Sequence, residues 1–215
     1  VCPPFTTILA PSPLIKESMK VTKLEVVPSS ILLSKLKNTR LLGYGQVLVY
    51  ANAQLSIEQQ LDTDILVPTQ RYVLRSTLWT VKELYTTLLS QGVDMFKLDT
   101  AVWFWREDIR TLLPLLPPII EESYEADGRK VWLISDGMHR VYTARKLGKP
   151  LNVILVKNAS HPYYAYPLDK GWADVAELQE LGSLPKKKYR ETAYKELFRN
   201  YNDVFPGIQK SRSAK

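Results

Sequence analysis

Asp136, Gly137, Met138, His139 and Arg140 stand in one unbroken run, "DGMHR". These residue types suggest phosphate chemistry. A helix that opens directly after such a turn presents unpaired backbone N–H groups and the positive end of its dipole, which together attract an anion. Gly137 leaves no side chain in the way, and the backbone at Met138 lies in the first turn. His139 and Arg140 add a titratable donor and a permanent cation. Neither gains from the helix dipole at that end, so an external anion accounts for their placement. Asp136 could cap the helix, hold a metal ion riding on phosphates, or accept a proton. A plainer reading stands beside this one. Asp136 is then a cap, Arg140 pairs with a nearby carboxylate, and His139 is a satisfied polar residue.

The flanking sequence must position that run. Residues 131–134 read as an entering strand and residues 138–147 as a helix of about three turns. Gly148 suits a left-handed C-cap and Pro150 forbids continuation. Val141, Ala144 and Leu147 mark the packing face, and "LNVILVKN" follows as a buried strand. Upstream, "PPIIEESYEADGRKVWLIS" reads as two strands joined at the hairpin signal Asp127-Gly128. "STLWTVKELYTTLLSQG" is the clearest helix, capped by Ser76 or Thr77 and stopped by Gly92. "AVWFWREDIRTLL" is expected as a second helix ended by Pro114, with Trp103, Trp105 and Arg106 either stacking on a base or packing in the core. Residues 21–27, "QVLVYA" and "AQLSIEQ" are expected strands. "GWADVAELQELG" and "KKKYRETAYKELFRNYNDVF" are expected helices, the second docking through Tyr194, Leu197, Phe198 and Tyr201.

Composition narrows the class. The chain has 215 residues, 45% hydrophobic and 24% charged, as an ordinary globular protein does. The apolar stretch "TLLPLLPPII" is too short and proline-broken to span a membrane. The start, "VCPPFTTILAPSPLIK", lacks a signal-peptide pattern, and Pro3, Pro4, Pro11 and Pro13 make residues 1–20 an extended arm. Cys2 is the single cysteine, which excludes an internal disulfide and a cysteine-based zinc site. A cytoplasmic location without membrane attachment is expected. The formal net charge is +7, and residues 186–215 carry nine Lys/Arg against three acids. Such a tail either attracts nucleic acid or forms a solvated face.

"ISDGMHRVYTARKLGKPLNVILV" resembles the core motif of the ParB/sulfiredoxin-like superfamily. The resemblance is closest over residues 131–156. It extends loosely back to about Ile65 through "LVPTQRYVL", the helix at 77–91 and "PPIIEE". It implies an α+β fold, a mixed sheet with flanking helices. Residues 61–160 would be its core, residues 1–60 an arm and β-rich extension, and residues 161–215 a loop and basic helical C-terminus. The resemblance also implies a nucleotide, ATP or ADP, held by Gly137, Met138, His139 and Arg140. Magnesium carried on its phosphates would meet Asp136. In motif the run is most similar to the free-serine-kinase branch. That implies a phosphotransferase acting on a small hydroxyl substrate, with Asp136 and His139 catalytic. An upstream glutamate is the branch's expected base, but "LVPTQ" puts Gln70 near that position, so Glu121, Glu122 or Asp136 would have to serve. Gln70, Glu121 and His161 are expected to line the pocket. Met138 stands where sulfiredoxins carry their reactive cysteine, which removes that activity. The alternatives are a DNA-binding protein or nuclease, and a non-catalytic nucleotide-binding partner protein.

Overall fold

The structure, a computed structural model, describes residues 19–181 and 184–208. The proline-rich arm lies almost wholly outside these residues, as do Cys2, Lys210, Arg212 and Lys215.

In chain order the elements are β1 (Val21–Val27), α1 (Ser29–Leu36), β2 (Arg40–Leu41), β3 (Gln54–Leu61), β4 (Leu66–Val67), β5 (Tyr72–Leu74) and α2 (Arg75–Ser90). There follow β6 (Ala101–Arg106), β7 (Thr111–Leu115), β8 (Ile119–Tyr124), β9 (Lys130–Asp136), α3 (Met138–Lys146), β10 (Leu151–Lys157), β11 (Ala176–Leu178) and β12 (Arg199–Asn200). The fold is α+β. Its centre is a mixed five-stranded sheet in the order β3-β10-β8-β9-β4. The β10–β8 and β4–β9 pairs are parallel, whereas β10–β3 and β8–β9 are antiparallel.

Strand β10 shows why the sheet has two covered faces. Residues 151–156 are all buried. Val153 and Leu155 pack into an apolar cluster with Leu78, Val81 and Leu88 of α2 and Val141 and Ala144 of α3. Ile154 and Val156, alternating to the other side, join Leu32 and Leu36 of α1 and Leu197, Tyr201 and Phe205 from the C-terminal region. A strand buried on both faces loses the polar alternation of a half-exposed one, and "LNVILV" has lost it. The hairpin expected at Asp127-Gly128 joins β8 to β9, with Gly128 left-handed at φ 81°.

Three expectations are corrected. Residues 101–115 form the antiparallel pair β6–β7, not a helix, and β1 completes a three-stranded sheet in the order β1-β6-β7. Val102 and Phe104 turn inward at alternate positions, and aromatic residues fit a pleated surface better than a helix. Pro114 is tolerated because β7 is an edge strand. The C-terminal region is not α-helical over its described residues. It consists of single 3-10 turns at Gly171–Asp174, Tyr194–Leu197 and Tyr201–Asp203, with β11 pairing β5 and β12 pairing β2. The guanidinium of Arg199 takes the carbonyl of Leu197, a group that a continuing helix would need for itself. "QVLVYA" makes one bridge, Leu48 to Arg40, and then a turn, so that Val49 and Tyr50 can enter the core.

Candidate functional site

Strand β9 delivers Asp136 to the turn, and α3 begins two residues later. Gly137 sits between them at φ 87°, in the left-handed region. A Cβ there would lie 2.9 Å from Cβ of Pro118 and 3.0 Å from Nη2 of Arg140. Glycine is therefore required twice, by backbone conformation and by space. Gly137 itself is the N-cap of α3, and no side chain caps the helix. Asp136 instead receives Nη2 of Arg140 at 3.2 Å, one helical turn on.

Arg140 is 12% exposed at its side chain. Its Nη1 donates to the carbonyl of Leu116, so two of the five guanidinium N–H donors are engaged by protein groups. Burial pushes its pKa down, opposed by the Asp136 carboxylate. His139 is held neutral: burial first, and then the charge of Lys186, lower its pKa to about 4. Its Nε2 accepts the backbone N–H of Leu74 at 3.4 Å. That fixes the proton of the neutral ring on Nδ1. Leu74 is also the N-cap residue of α2. The expected Ser76 or Thr77 cap is absent there, and the imidazole joins the starts of the two helices.

These residues open into one cleft of about 350 Å³. Gln70, Asp136, Gly137, Met138, His139 and Arg140 all line it. Thr69, Thr77, Ser135 and Tyr164 bring hydroxyls, and Val81, Leu84, Met95 and Phe104 form an apolar wall. Gln70 is 6% exposed, and its amide donates to the carbonyl of Tyr72.

Two residues expected at the pocket stand elsewhere. Glu121 is 2% exposed and belongs to a buried network behind the cleft. Arg199 grips it with two bonds, Nε to Oε1 at 3.0 Å and Nη2 to Oε2 at 2.7 Å. Tyr50 and Ser135 also donate to Oε1, at 2.6 and 2.8 Å. The Tyr201 hydroxyl closes the network on Tyr50 and Ser135. Burial, and next the charge of Glu121, push the phenols of Tyr50 and Tyr201 up. Burial opposes the charge on Arg199, but Glu121 outweighs it and the pKa is raised. With both carboxylate oxygens occupied, Glu121 has no path to a ligand. The His161 ring lies beside Ser160 and Tyr44, and its carbonyl accepts from Arg199.

Sequence reasoning missed the partners of this network. Arg199 looked like one more charge in a basic tail, and nothing local distinguishes it from Lys195. Lys186 and Lys187, which also line the cleft, are equally indistinct within that basic run. Among the described residues no three His, Cys, Asp or Glu side chains are grouped to hold a metal. Nor is any helix among the described residues long and apolar enough to cross a membrane.

A search of curated proteins finds no match. A family model described as the ParB CE domain matches residues 31–176, about two thirds of the chain. The match runs from within α1 to the start of β11, including the whole of the "DGMHR" turn, and the chain accordingly belongs to the ParB CE domain family.

Proposed function

We propose that this protein binds a nucleotide, ATP or ADP, by its phosphates at the start of α3, and acts as a phosphotransferase on a small hydroxyl substrate. The observation that carries the reading is Arg140. It is nearly buried at a helix N-terminus, lines the cleft, and has two of five donors engaged by protein groups. A phosphate accepts from such a fork in pairs, and residues 138 and 139 stand in the first turn of α3, where helix N–H groups lack an intrahelical acceptor.

The nucleotide would supply the transferable group, and magnesium on its phosphates would supply countercharge. Arg140 and the Nδ1–H of neutral His139 would donate to phosphate oxygens as charge develops there. Asp136 is the one carboxylate among the described residues lining the cleft, so the magnesium contact and any proton acceptance fall to it. A nucleic-acid role is less well supported. Lys187 and Lys188 of the basic run are turned onto tyrosine rings of the protein itself.

The test is a titration of ATP, ADP and CTP with magnesium against wild type and Arg140→Ala. Micromolar binding weakened ten- to a hundredfold in the variant is expected, since a charge-assisted bond contributes about 1.5–3 kcal/mol. Wild type that binds none of them at millimolar concentration rejects the proposal. Bound ATP with no ADP formed across a panel of hydroxyl acceptors removes the transferase half and leaves a binding protein.

A further inference from the structure

Helices α2 and α3 share a second concave surface. Leu78 and Val81 of α2 and Val141 and Ala144 of α3 belong to the apolar cluster that joins the two helices. Beside it lies a groove of about 430 Å³ that has no lining residue in common with the cleft at Gly137. Its apolar part is made by Leu78, Trp79, Tyr142 and Leu147. Trp79 is 40% exposed and Leu147 43%. Large apolar side chains gathered on one surface mark a contact site, where single scattered ones do not.

The charges lining the groove have one sign in excess. Arg75, Lys82 and Lys146 stand against a single carboxylate, Glu177. That carboxylate is already shared. Tyr142 donates to its Oε1 at 2.9 Å, Nζ of Lys146 lies 3.3 Å from the same oxygen, and Nε of Arg75 lies 3.9 Å from Oε2. The bond from Tyr142, and next that from Lys146, hold the Glu177 carboxyl below its ordinary range. Even fully ionised, one acid cannot balance three cations, so the groove is electropositive.

Spacing along α2 gives this surface a pattern. Arg75 and Lys82 are seven residues apart, about 10 Å along the axis, with Leu78 and Trp79 between them. Residues at i, i+3, i+4 and i+7 share one helix face. The face therefore reads cation, apolar pair, cation. A helix laid in the groove matches it with apolar anchors between acids about two turns apart. A second copy of this chain, placed symmetrically on the same face, would set these cations against each other.

We propose that the α2–α3 groove is a docking site for an acidic amphipathic helix of a partner protein. Its apolar anchors seat against Trp79 and Leu147, and its carboxylates meet Arg75, Lys82 and Lys146. The site is independent of the nucleotide reading, since the groove and the cleft are lined by different residues.

The experiment selects helical peptides from a random display library on the full chain. The recovered peptides are then titrated against wild type, Trp79→Ala, Lys82→Glu and Leu147→Ala. They are expected to be acidic, with apolar residues at i and i+3 or i+4 flanked by Asp or Glu. Affinity should fall about tenfold or more in Trp79→Ala and Lys82→Glu, several-fold in Leu147→Ala, and steadily with added salt. All three positions are exposed, and thermal melting checks that each variant is folded. Trp79→Phe, Lys82→Gln or Leu147→Met replaces any that is not. Recovery of no peptide above background, recovery of neutral or basic peptides, or binding that Trp79→Ala and Lys82→Glu leave intact overturns the proposal. A wild-type dimer that Trp79→Ala dissociates gives the groove to a second copy and overturns it too. So does an oligothymidine strand that binds more tightly than every recovered peptide and is lost in the same variants.

Discussion

Two arginine–carboxylate pairs are anchored on the neighbouring strands β8 and β9, and they use the same residue types in opposite ways. In the Glu121–Arg199 pair, all five guanidinium donors are engaged: two bonds go to the carboxylate and three to the carbonyls of Pro162, Leu197 and His161. Both side chains are at most 2% exposed. In the Asp136–Arg140 pair one bond reaches the carboxylate and one a carbonyl, and the side chains are 18% and 12% exposed. Protonation follows the same division, since Glu121 raises the pKa of Arg199 whereas burial prevails at Arg140 and lowers it. A fully engaged buried pair fixes structure. A partly engaged one beside a cleft keeps donors that protein groups do not take up.

The largest effect should come from breaking the buried pair. Arg199→Met leaves the Glu121 charge buried without its partner and is expected to cost about 3–5 kcal/mol in urea unfolding. The double variant Glu121→Leu/Arg199→Met should recover much of that, because it removes both charges. Arg140→Met should cost about 1 kcal/mol, since Asp136 is partly solvated. Equal losses at Arg199 and Arg140 would erase the distinction between the pairs.

Next in size is a pH effect at His139. Its folded pKa, about 4, lies below the ordinary value of 6.5. Between these values the unfolded chain takes up a proton that the folded one refuses. Stability is therefore whole above pH 6.5 and falls as pH drops towards 4, by about 3 kcal/mol in all. His139→Gln should flatten that part of the stability–pH curve, and an unchanged curve would remove His139 as its source. An anion bound beside Arg140 should raise the imidazole pKa, so binding below pH 6 takes up protons, measurable by calorimetry in buffers of different ionisation enthalpy.

The smallest effect sharpens the boundary between the pairs. Ser135 touches both regions, donating to Glu121 while lining the cleft. Ser135→Ala should cost about 1 kcal/mol, the net value of a typical hydrogen bond. Nucleotide affinity should change by less than about threefold if the network is structural only.

Local sequence pattern was enough for the elements closest to the site. "DGMHRVYTARKLGKP" contains a complete instruction: a glycine tolerated at positive φ, a run that propagates as helix, and a glycine and proline that end it. Gly137 and Gly148 are both left-handed, at φ 87° and 60°. Alternation and turn chemistry gave the β8–β9 hairpin, and unbroken hydrophobicity gave β10. Elsewhere the local pattern is ambiguous. "AVWFWREDIRTLL" suits a helix or a strand pair by spacing, and the sheet partner β1, some 75 residues earlier, decided for strands.

The chemical types at the Asp136–Arg140 turn are legible in the sequence alone, because a turn and the helix it opens are local and need no distant partner. Which carboxylate faces the cleft was decided only by tertiary structure. Glu121 and Asp136 are both acids on neighbouring strands, yet Glu121 turns towards the layer that brings Arg199, Tyr50 and Tyr201, while Asp136 lies at the strand end beside α3. The place of Lys186 in the cleft lining was also beyond local reading. Lys186 and Arg199 look alike in a basic run, and only long-range pairing puts one at the cleft and buries the other, since a charge enters the core only where partners from other elements meet all of its donors.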